Sequence, residues 1–314
     1  MNATHHDDTL ILALDIGGSK IRGALVDALG QARSPQTVTS LGWQGAAALL
    51  GQARALGESL LAATPPDHRV IACGISSAGV IDIAGARVTA ATGAIPGWAG
   101  TDLGAFARDA FNLPAFAAND GPCALWGEVH AGALRDASPS GTVVMLTLGT
   151  GVGGAVMHDG RMLTGRNGHA GHFGRTLMGL ESLAAQTTLD HLVSGKALVD
   201  EYRRAAGIVV GGAEVFQFAA AGDDLARQVV AAWRGNLAQM LINLHWGLDP
   251  AVVILGGGVI GSRAHWWTAL IADLARQNID LPLVPATLGN DAGMLGAAWR
   301  ARQQHASEYS QGGR

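Results

Sequence analysis

The sequence is poor in cysteine and in charged residues. Only Cys73 and Cys123 occur among 314 residues, too few for a disulfide framework or a four-thiolate zinc site. Charged side chains make up 15% of the chain, with 21 basic against 25 acidic residues, and no basic run could follow a nucleic-acid backbone. No apolar run approaches the roughly 20 residues that span a bilayer. We therefore expect no nucleic-acid partner and no membrane partner.

The first nine residues show no sign of export. They lack the charged start and the small-residue cleavage site of a signal peptide. Together with the scarcity of cysteine, this predicts a cytoplasmic protein in a reducing environment.

Glycine, by contrast, is abundant: 45 residues, with no collagen-like period. Two segments repeat one pattern, in which a glycine-rich turn separates two apolar runs. The first turn contains Asp15, Gly17, Gly18 and Lys20, and the second contains Gly149, Thr150 and Gly151. A third glycine run follows a buried strand and consists of Gly256, Gly257 and Gly258. Because glycine leaves backbone N–H groups accessible, these turns could hold the phosphates of a nucleotide.

Strand-like and helix-like segments alternate along the chain, which predicts an α/β fold. The length and the hydrophobic content of 48% are typical of two domains rather than one. Two hairpins are predicted over 10–28 and 143–157, and further strands over 70–75, 115–118 and 252–255. Helices are predicted over 43–61, 101–111 with Thr101 as its cap, 122–132, 225–244 and 292–302.

Polar residues that could take part in binding or catalysis lie where two of the predicted strands end. Asp15 could organise a hydrated Mg²⁺ beside phosphates. Asp120 could accept a proton from an attacking alcohol that Asn119 orients, although an ordinary helix N-cap is the alternative. His169, His172 and Asp190 could bond a polyhydroxy substrate, or they could be ordinary loop and helix-start residues.

Two common nucleotide motifs are missing. No Gly-x-x-x-x-Gly-Lys-Ser/Thr loop occurs, and no Gly-x-Gly-x-x-Gly is followed by a ribose-binding acid. The sequence therefore favours a nucleotide held mainly by backbone turns.

These residues, in this order, resemble the ROK family of sugar kinases, repressors and related proteins. The first two glycine turns are similar to the phosphate motifs of that family, and Gly256 to Gly258 to its adenosine motif. Ala118-Asn119-Asp120 is similar to the segment that carries the sugar-orienting Asn and the catalytic Asp. The match extends from about Leu10 to Arg302.

The resemblance implies a two-lobed actin-like ATPase fold that closes around sugar and nucleotide. The smaller lobe would comprise 1–118 with the C-terminal helix 291–314, and the larger lobe 119–290. It also implies ATP and Mg²⁺ as cofactors, Asp120 as general base for a sugar 6-hydroxyl, and a homodimer. The sugar contacts would be Asn119, Gly79, His169, His172 and Asp190.

The sequence departs from the family pattern at the expected sugar site. His169 replaces the usual Glu of a Gly-Glu-x-Gly-His motif, a variant similar to bacterial N-acetylmannosamine kinases. Asp190 takes the place of a second sugar-binding Glu, with Glu181 as the alternative occupant. The family's zinc motif is absent, because 175–188 contains no cysteine, so no structural zinc is expected. We expect that loop to be held by packing of Leu177, Met178, Leu180 and Leu183.

The same residues bear on three other functions. Because only fourteen residues precede Asp15, a repressor with an N-terminal DNA-binding region is not expected. A non-catalytic sugar-binding sensor stays open because of the changes at His169 and Asp190. A kinase that uses polyphosphate in place of ATP also stays open.

Overall fold

The computed structural model describes residues 8–91, 93–137 and 140–312, so most of the segment in which no export signal was found lies outside it. The first elements are β1 (Thr9–Ile16), β2 (Lys20–Val26), β3 (Ala32–Thr39), α1 (Ala46–Ala62), β4 (Arg69–Ser77), β5 (Val80–Asp82), β6 (Arg87–Ala90), α2 (Leu103–Phe111), β7 (Ala115–Asn119) and α3 (Asp120–His130). They are followed by β8 (Thr142–Leu148), β9 (Val152–His158), β10 (Arg161–Met162), α4 (Leu180–Ala185), α5 (Asp190–Val193), α6 (Gly195–Ala206), α7 (Gly212–Ala221), α8 (Asp224–Leu248), β11 (Val252–Gly256), α9 (Trp267–Arg276), β12 (Leu283–Pro285) and α10 (Ala292–Gly312). In the described part of the chain, no helix is both long enough and apolar enough to cross a membrane.

Each of the two five-stranded sheets is built on one of the predicted hairpins. The first sheet has the order β3-β2-β1-β4-β7, with β1 antiparallel to β2 and parallel to β4. The second has the order β10-β9-β8-β11-β12, with β8 antiparallel to β9 and parallel to β11. The parallel pairs need crossover connections, which helices supply. The two sheets thus share one connectivity, and the predicted α/β class is confirmed.

The chain divides into two compact units. Within the described residues, unit one comprises the chain up to Asp136, Arg166–Gly168 and the chain from Asn290 onward, and unit two comprises Ala137–Gly165 and His169–Gly289. This division differs from the predicted boundary between 118 and 119, because α3 lies in unit one. It lies there because it packs closely against α10.

Two glycines allow α3 and α10 to approach at backbone distance. A Cβ added to Gly127 of α3 would overlap the carbonyl oxygen of Ala292. A Cβ added to Gly296 of α10 would overlap the carbonyl oxygen of Cys123 and lie 2.6 Å from the nitrogen of Gly127. No other residue type fits at these positions without moving one helix away from the other.

Each unit has its own apolar core, and both cores contain the hairpin strands. The core of unit one includes Leu12, Leu14, Ile21, Leu60, Ile75 and Trp98. The core of unit two includes Leu146, Leu148, Tyr202, Phe216, Trp233, Leu237 and Trp266. The apolar residues predicted to share one face of the 225–244 helix are buried, except for Leu225, which is exposed; the helix extends to Leu248, and the buried residues are Val229, Trp233, Leu237, Met240 and Leu244.

The predicted cap of α2 is wrong by one residue. Asp102, and not Thr101, is the cap, because its Oδ1 accepts a hydrogen bond from the N–H of Ala105 at 2.7 Å. A carboxylate at the N-cap satisfies a backbone donor that has no partner within the helix. The final helix is also longer than predicted and extends well beyond Arg302.

Candidate active site

The first glycine turn, between β1 and β2, has a shape set by several hydrogen bonds. The N–H of Gly17 donates to the carbonyl oxygen of Lys20 at 3.0 Å. Ser40 donates twice to the turn, from Oγ to the carbonyl oxygen of Gly18 at 2.6 Å and from its N–H to that of Ser19 at 3.1 Å. The side chain of Lys20 is exposed. The turn is therefore preorganised, with a cation beside it.

Asp15 lies next to the end of β1 in a half-buried position. Ser76 Oγ donates a hydrogen bond to Asp15 Oδ1 at 2.6 Å. A Cβ added to Gly293, in the first turn of α10, would lie only 3.2 Å from the same oxygen. Burial raises the pKa of Asp15 to about 6; the Ser76 hydrogen bond limits this rise, and the negative charge of Asp120 adds to it. A partly desolvated carboxylate near a second one fits a hydrated Mg²⁺, because a cation bound by oxygen offsets their repulsion.

We expect Asp15→Asn to stabilise the ligand-free protein at neutral pH. The raised pKa means that ionising Asp15 costs more free energy in the folded protein than in the unfolded chain. This penalty is small below about pH 4, grows as the pH rises toward about 6, and is constant above that. The variant should therefore gain about 3 kcal/mol in the free energy of unfolding at pH 8 and only about 0.5 kcal/mol at pH 4. Urea unfolding of both proteins across this pH range measures the difference, and a gain equal at both ends would contradict the assignment.

Asn119 and Asp120 lie at the carboxyl edge of the first sheet. Asp15 pairs with Ser76 across β1 and β4, and Ser77 pairs with Asn119 across β4 and β7, so these residues share one edge. The side chain of Asp120 is exposed, and its Oδ1 accepts from the N–H of Gly121 at 2.7 Å. An exposed carboxylate at the start of α3 is accessible to an incoming hydroxyl group.

The amide of Asn119 is engaged with the turn that precedes β5. Its Oδ1 accepts from the N–H of Ile81 at 3.0 Å, and its Nδ2 donates to the carbonyl oxygen of Gly79. Gly79 has φ of 101°, and a Cβ there would lie 2.9 Å from the carbonyl oxygen of Ala90. The structure thus brings the predicted residues Gly79 and Asn119 together, with Asn119 shaping the Gly79 turn.

The second glycine turn, between β8 and β9, is packed against the third glycine run. The N–H of Gly149 donates to the carbonyl oxygen of Gly151 at 2.9 Å, which leaves the N–H groups of Thr150 and Gly151 for a ligand. The N–H of Gly195 donates to the carbonyl oxygen of Gly149 at 2.7 Å. Gly257 has φ of 84°, and a Cβ there would lie 2.5 to 2.6 Å from the backbone of Leu148. Both predicted glycine motifs of unit two therefore meet at one place.

A cleft of about 530 Å³ opens beside the second turn. Its walls are formed by Gly149, Thr150, Gly195, Lys196, Leu198, Val199, Gly212, Ala213, Phe216, Gly258, Val259 and Ser262. Bare glycine backbone borders one part and apolar side chains the other, which fits a nucleotide with its phosphates on the turn and its base between the apolar walls. Lys196 is the one cationic side chain in this lining, and it forms an ion pair with Asp200.

The remaining sugar-site candidates lie in unit two. The rings of His169 and His172 meet edge to face, with centroids 5.6 Å apart. His169 is exposed, whereas Nδ1 of His172 is buried and has no hydrogen-bond partner in the structure. Asp190 Oδ1 accepts from the N–H of Val152 at 2.6 Å, whereas Glu181 is exposed on α4. Of the two alternatives for the second acidic position, only Asp190 is built into the surroundings of the glycine turn.

The expectation that leucines hold the 175–188 loop is wrong. Leu177, Leu180 and Leu183 are 42%, 84% and 60% exposed, and only Met178 packs against the core. Hydrogen bonds hold the loop instead, among them Leu189 N–H to Thr176 O at 2.8 Å and Ser182 Oγ to Met178 O at 2.9 Å. Among residues 8–91, 93–137 and 140–312, no group of three or more His, Cys, Asp or Glu could hold a metal ion.

Sequence reasoning did not identify several residues of these sites. Ser76, which bonds Asp15, comes from a buried strand and carries no local motif, whereas Gly293, beside Asp15, lies in a 290–298 stretch that is similar to a characteristic stretch of the ROK family. Of the cleft walls, those from α7 were missed, whereas the α6 wall begins with Ser194 to Leu198, a stretch similar to a characteristic stretch of the family; Ser194 caps α6 through the N–H of Ala197. A Ser-Gly pair before a helix was the available signal.

The model of the ROK family matches residues 11–304. The chain belongs to the ROK family. An N-acetylmannosamine kinase from Yersinia pseudotuberculosis is 34% identical over 300 residues, which cover 93% of this chain and 98% of that protein. This level of identity along nearly the whole of both chains confirms the resemblance drawn from the motifs.

Solved structures of ROK proteins share the fold. A ROK hexokinase from Thermus thermophilus superimposes with a TM-score of 0.80 at 28% identity, covering 95% of this ROK chain and 99% of the hexokinase. A ROK glucokinase from Streptomyces griseus, solved with glucose and AMPPNP, has a TM-score of 0.78 at 26% identity, with 94% and 99% covered. The predicted actin-like ATPase fold is confirmed.

Proposed function

We propose that this protein phosphorylates an N-acetylhexosamine, with N-acetylmannosamine as the preferred substrate, at the 6-hydroxyl group. The coarser class, an ATP-dependent sugar kinase, follows from the family and from the kinases that match it over nearly their whole length. The sugar is inferred from the Yersinia relative and from His169. An imidazole can donate a hydrogen bond to the carbonyl oxygen of an acetamido group, whereas the carboxylate usual in the family can only accept one.

The observation that carries this proposal is the shared sheet edge of Asp15 and Asp120. The exposed Asp120 would take the proton of the sugar hydroxyl as the phosphoryl group is transferred, with Asn119 and Gly79 shaping the turn beside it. His169 and His172 would bond further hydroxyl or acetamido groups. Catalysis then rests on positioning and on electrostatic stabilisation of the transferred phosphoryl group.

The cleft in unit two supports ATP rather than polyphosphate as the donor. Its apolar walls suit a base, and the one lysine in its lining is already paired with an acid. A polyphosphate chain carries a charge on every unit and calls for several unpaired cations. Mg²⁺ held near Asp15 through water would supply charge neutralisation to the phosphates.

Three further properties belong to the proposal because the resemblance implies them. They are Mg²⁺ as the cofactor ion, a homodimer, and a cytoplasmic location. The exposed leucines of the 175–188 loop are compatible with contact to another chain.

A coupled assay of ADP release tests the proposed function. The panel comprises glucose, mannose, fructose, allose, glucosamine, N-acetylglucosamine and N-acetylmannosamine, each with Mg-ATP. We expect kcat/KM for N-acetylmannosamine to exceed that for mannose by about tenfold or more, because a site that bonds the acetamido group rejects sugars that lack it. Phosphorus NMR of the product checks the position of the phosphate.

Two outcomes would contradict this function. Binding of a sugar with no release of ADP would show a sensor rather than a kinase. Phosphorylation that requires polyphosphate and fails with ATP would overturn the donor.

A further inference from the structure

One oxygen of the Asp190 carboxylate is bonded to the backbone of unit two. Its Oδ1 accepts a hydrogen bond at 2.6 Å from the N–H of Val152, the first residue after the Gly149 to Gly151 turn. Val152 is 93% buried, so this N–H group needs a protein partner. A charged acceptor makes such a bond short and strong.

Two glycines surround the same carboxylate. A Cβ added to Gly151, within the phosphate turn, would lie 3.1 Å from Asp190 Oδ1. A Cβ added to Gly174, two residues after His172, would overlap that oxygen and the carbonyl oxygen of Val152. Asp190 therefore fills the space between the phosphate turn and the segment that follows His172.

The helix that carries Asp190 is itself anchored. Leu189, which precedes Asp190, and Val193, the last residue of the same helix, are fully buried in the core of unit two. The N–H of Leu189 donates to the carbonyl oxygen of Thr176 at 2.8 Å. The anchored helix thus holds the carboxylate in a fixed position next to the N–H of Val152.

We propose that Asp190 is a positioning residue that sets the shape of the phosphate turn for the nucleotide, and not the sugar contact that the family resemblance implies. The shorter side chain of Asp, compared with the usual Glu, lets the carboxylate stay at the turn, between two glycines. Removing it leaves the buried N–H of Val152 without an acceptor, so the turn shifts. This inference rests on the proposed use of ATP.

Three substitutions at this position separate the two roles. Asp190→Asn keeps an oxygen acceptor of the same size, Asp190→Ala removes the acceptor, and Asp190→Glu adds a methylene group that shifts the carboxylate from its position against the Val152 N–H. Asp280→Ala, which removes an exposed carboxylate of unit two that does not line the cleft, is the matched control. Thermal unfolding of each variant checks that it is folded.

Calorimetric titration with Mg-AMPPNP in the absence of sugar, and separately with N-acetylmannosamine, provides the readout. We expect Asp190→Ala and Asp190→Glu to bind AMPPNP roughly tenfold more weakly, Asp190→Asn to stay within about threefold of wild type, and sugar affinity to change little. Amide hydrogen exchange in peptides covering 149–156 should be faster in Asp190→Ala than in the wild type. In Asp190→Asn it should stay at the wild-type rate.

The opposite pattern would overturn the inference. If Asn and Ala variants both lose sugar affinity while AMPPNP affinity is unchanged, Asp190 contacts the sugar. If the wild type binds AMPPNP and Asp190→Ala binds it equally well, the positioning role is wrong while the proposed ATP-dependent function stands. Failure of the wild type to bind AMPPNP would contradict both the positioning role of Asp190 and the proposed use of ATP.

Discussion

Replacing Asp120 with asparagine should lower kcat by a factor of about 10³ or more, with the Kd of the sugar changed less than about threefold. Asparagine keeps the size of the side chain and an oxygen that can accept from the N–H of Gly121. It cannot take up a proton, so the hydroxyl nucleophile would lose its base. Steady-state kinetics at saturating ATP and sugar, with calorimetric sugar titration of the same preparation, measure the two quantities.

Asp109→Asn provides the control for this experiment. Asp109 is an exposed carboxylate on α2 in the same unit, so the same isosteric change is made without touching the sheet edge. Its kcat should equal that of the wild type. Wild-type turnover in Asp120→Asn would remove Asp120 from the role of base, and an equal loss in both variants would point to a general effect of charge.

Gly296→Ala should destabilise unit one by about 3 kcal/mol or more, or prevent its folding. The added methyl group would overlap the carbonyl oxygen of Cys123, which belongs to the rigid backbone of α3 and cannot rotate away. Relief therefore requires separation of α3 from α10. Because Asp120 begins α3 and Gly293 lies in the first turn of α10, activity should fall together with stability. Urea unfolding followed by circular dichroism measures the change.

Gly51→Ala is the matched variant for this test. Gly51 is an exposed helical glycine of α1 in the same unit, and beyond its two chain neighbours and the backbone of its own helix no atom lies within 4 Å of an added Cβ. Alanine there should stabilise the protein by about 0.5–1 kcal/mol, because glycine disfavours the helical state. A Gly296→Ala variant as stable as Gly51→Ala would show that the helix crossing is looser than described.

Much of the fold could be predicted because its signals are local. The two hairpins, the buried strands and the long helix with Trp233 and Leu237 were recognisable from hydrophobic period and from glycine turns. Errors lay at helix boundaries, as with Thr101 and Asp102, where adjacent residues can both cap.

The prediction that the leucines of the 175–188 loop are buried failed for a different reason. Hydrophobicity predicts burial only when a partner surface is near, and Leu180 has none within its own unit. The sequence pattern cannot supply the position of such a surface.

The local sequence was sufficient to predict the kind of chemistry that the protein performs. Asp15, Asp120 and the glycine turns stand at strand ends that any α/β chain would place at a sheet edge, so a phosphate-handling enzyme could be inferred without coordinates. What each side chain does there required the folded chain. Ser76 bonds Asp15, and Asp190 bonds Val152, across separations of 61 and 38 residues. The direction of a hydrogen bond between distant segments depends on how strands and helices pack in three dimensions, and no spacing along the chain encodes it.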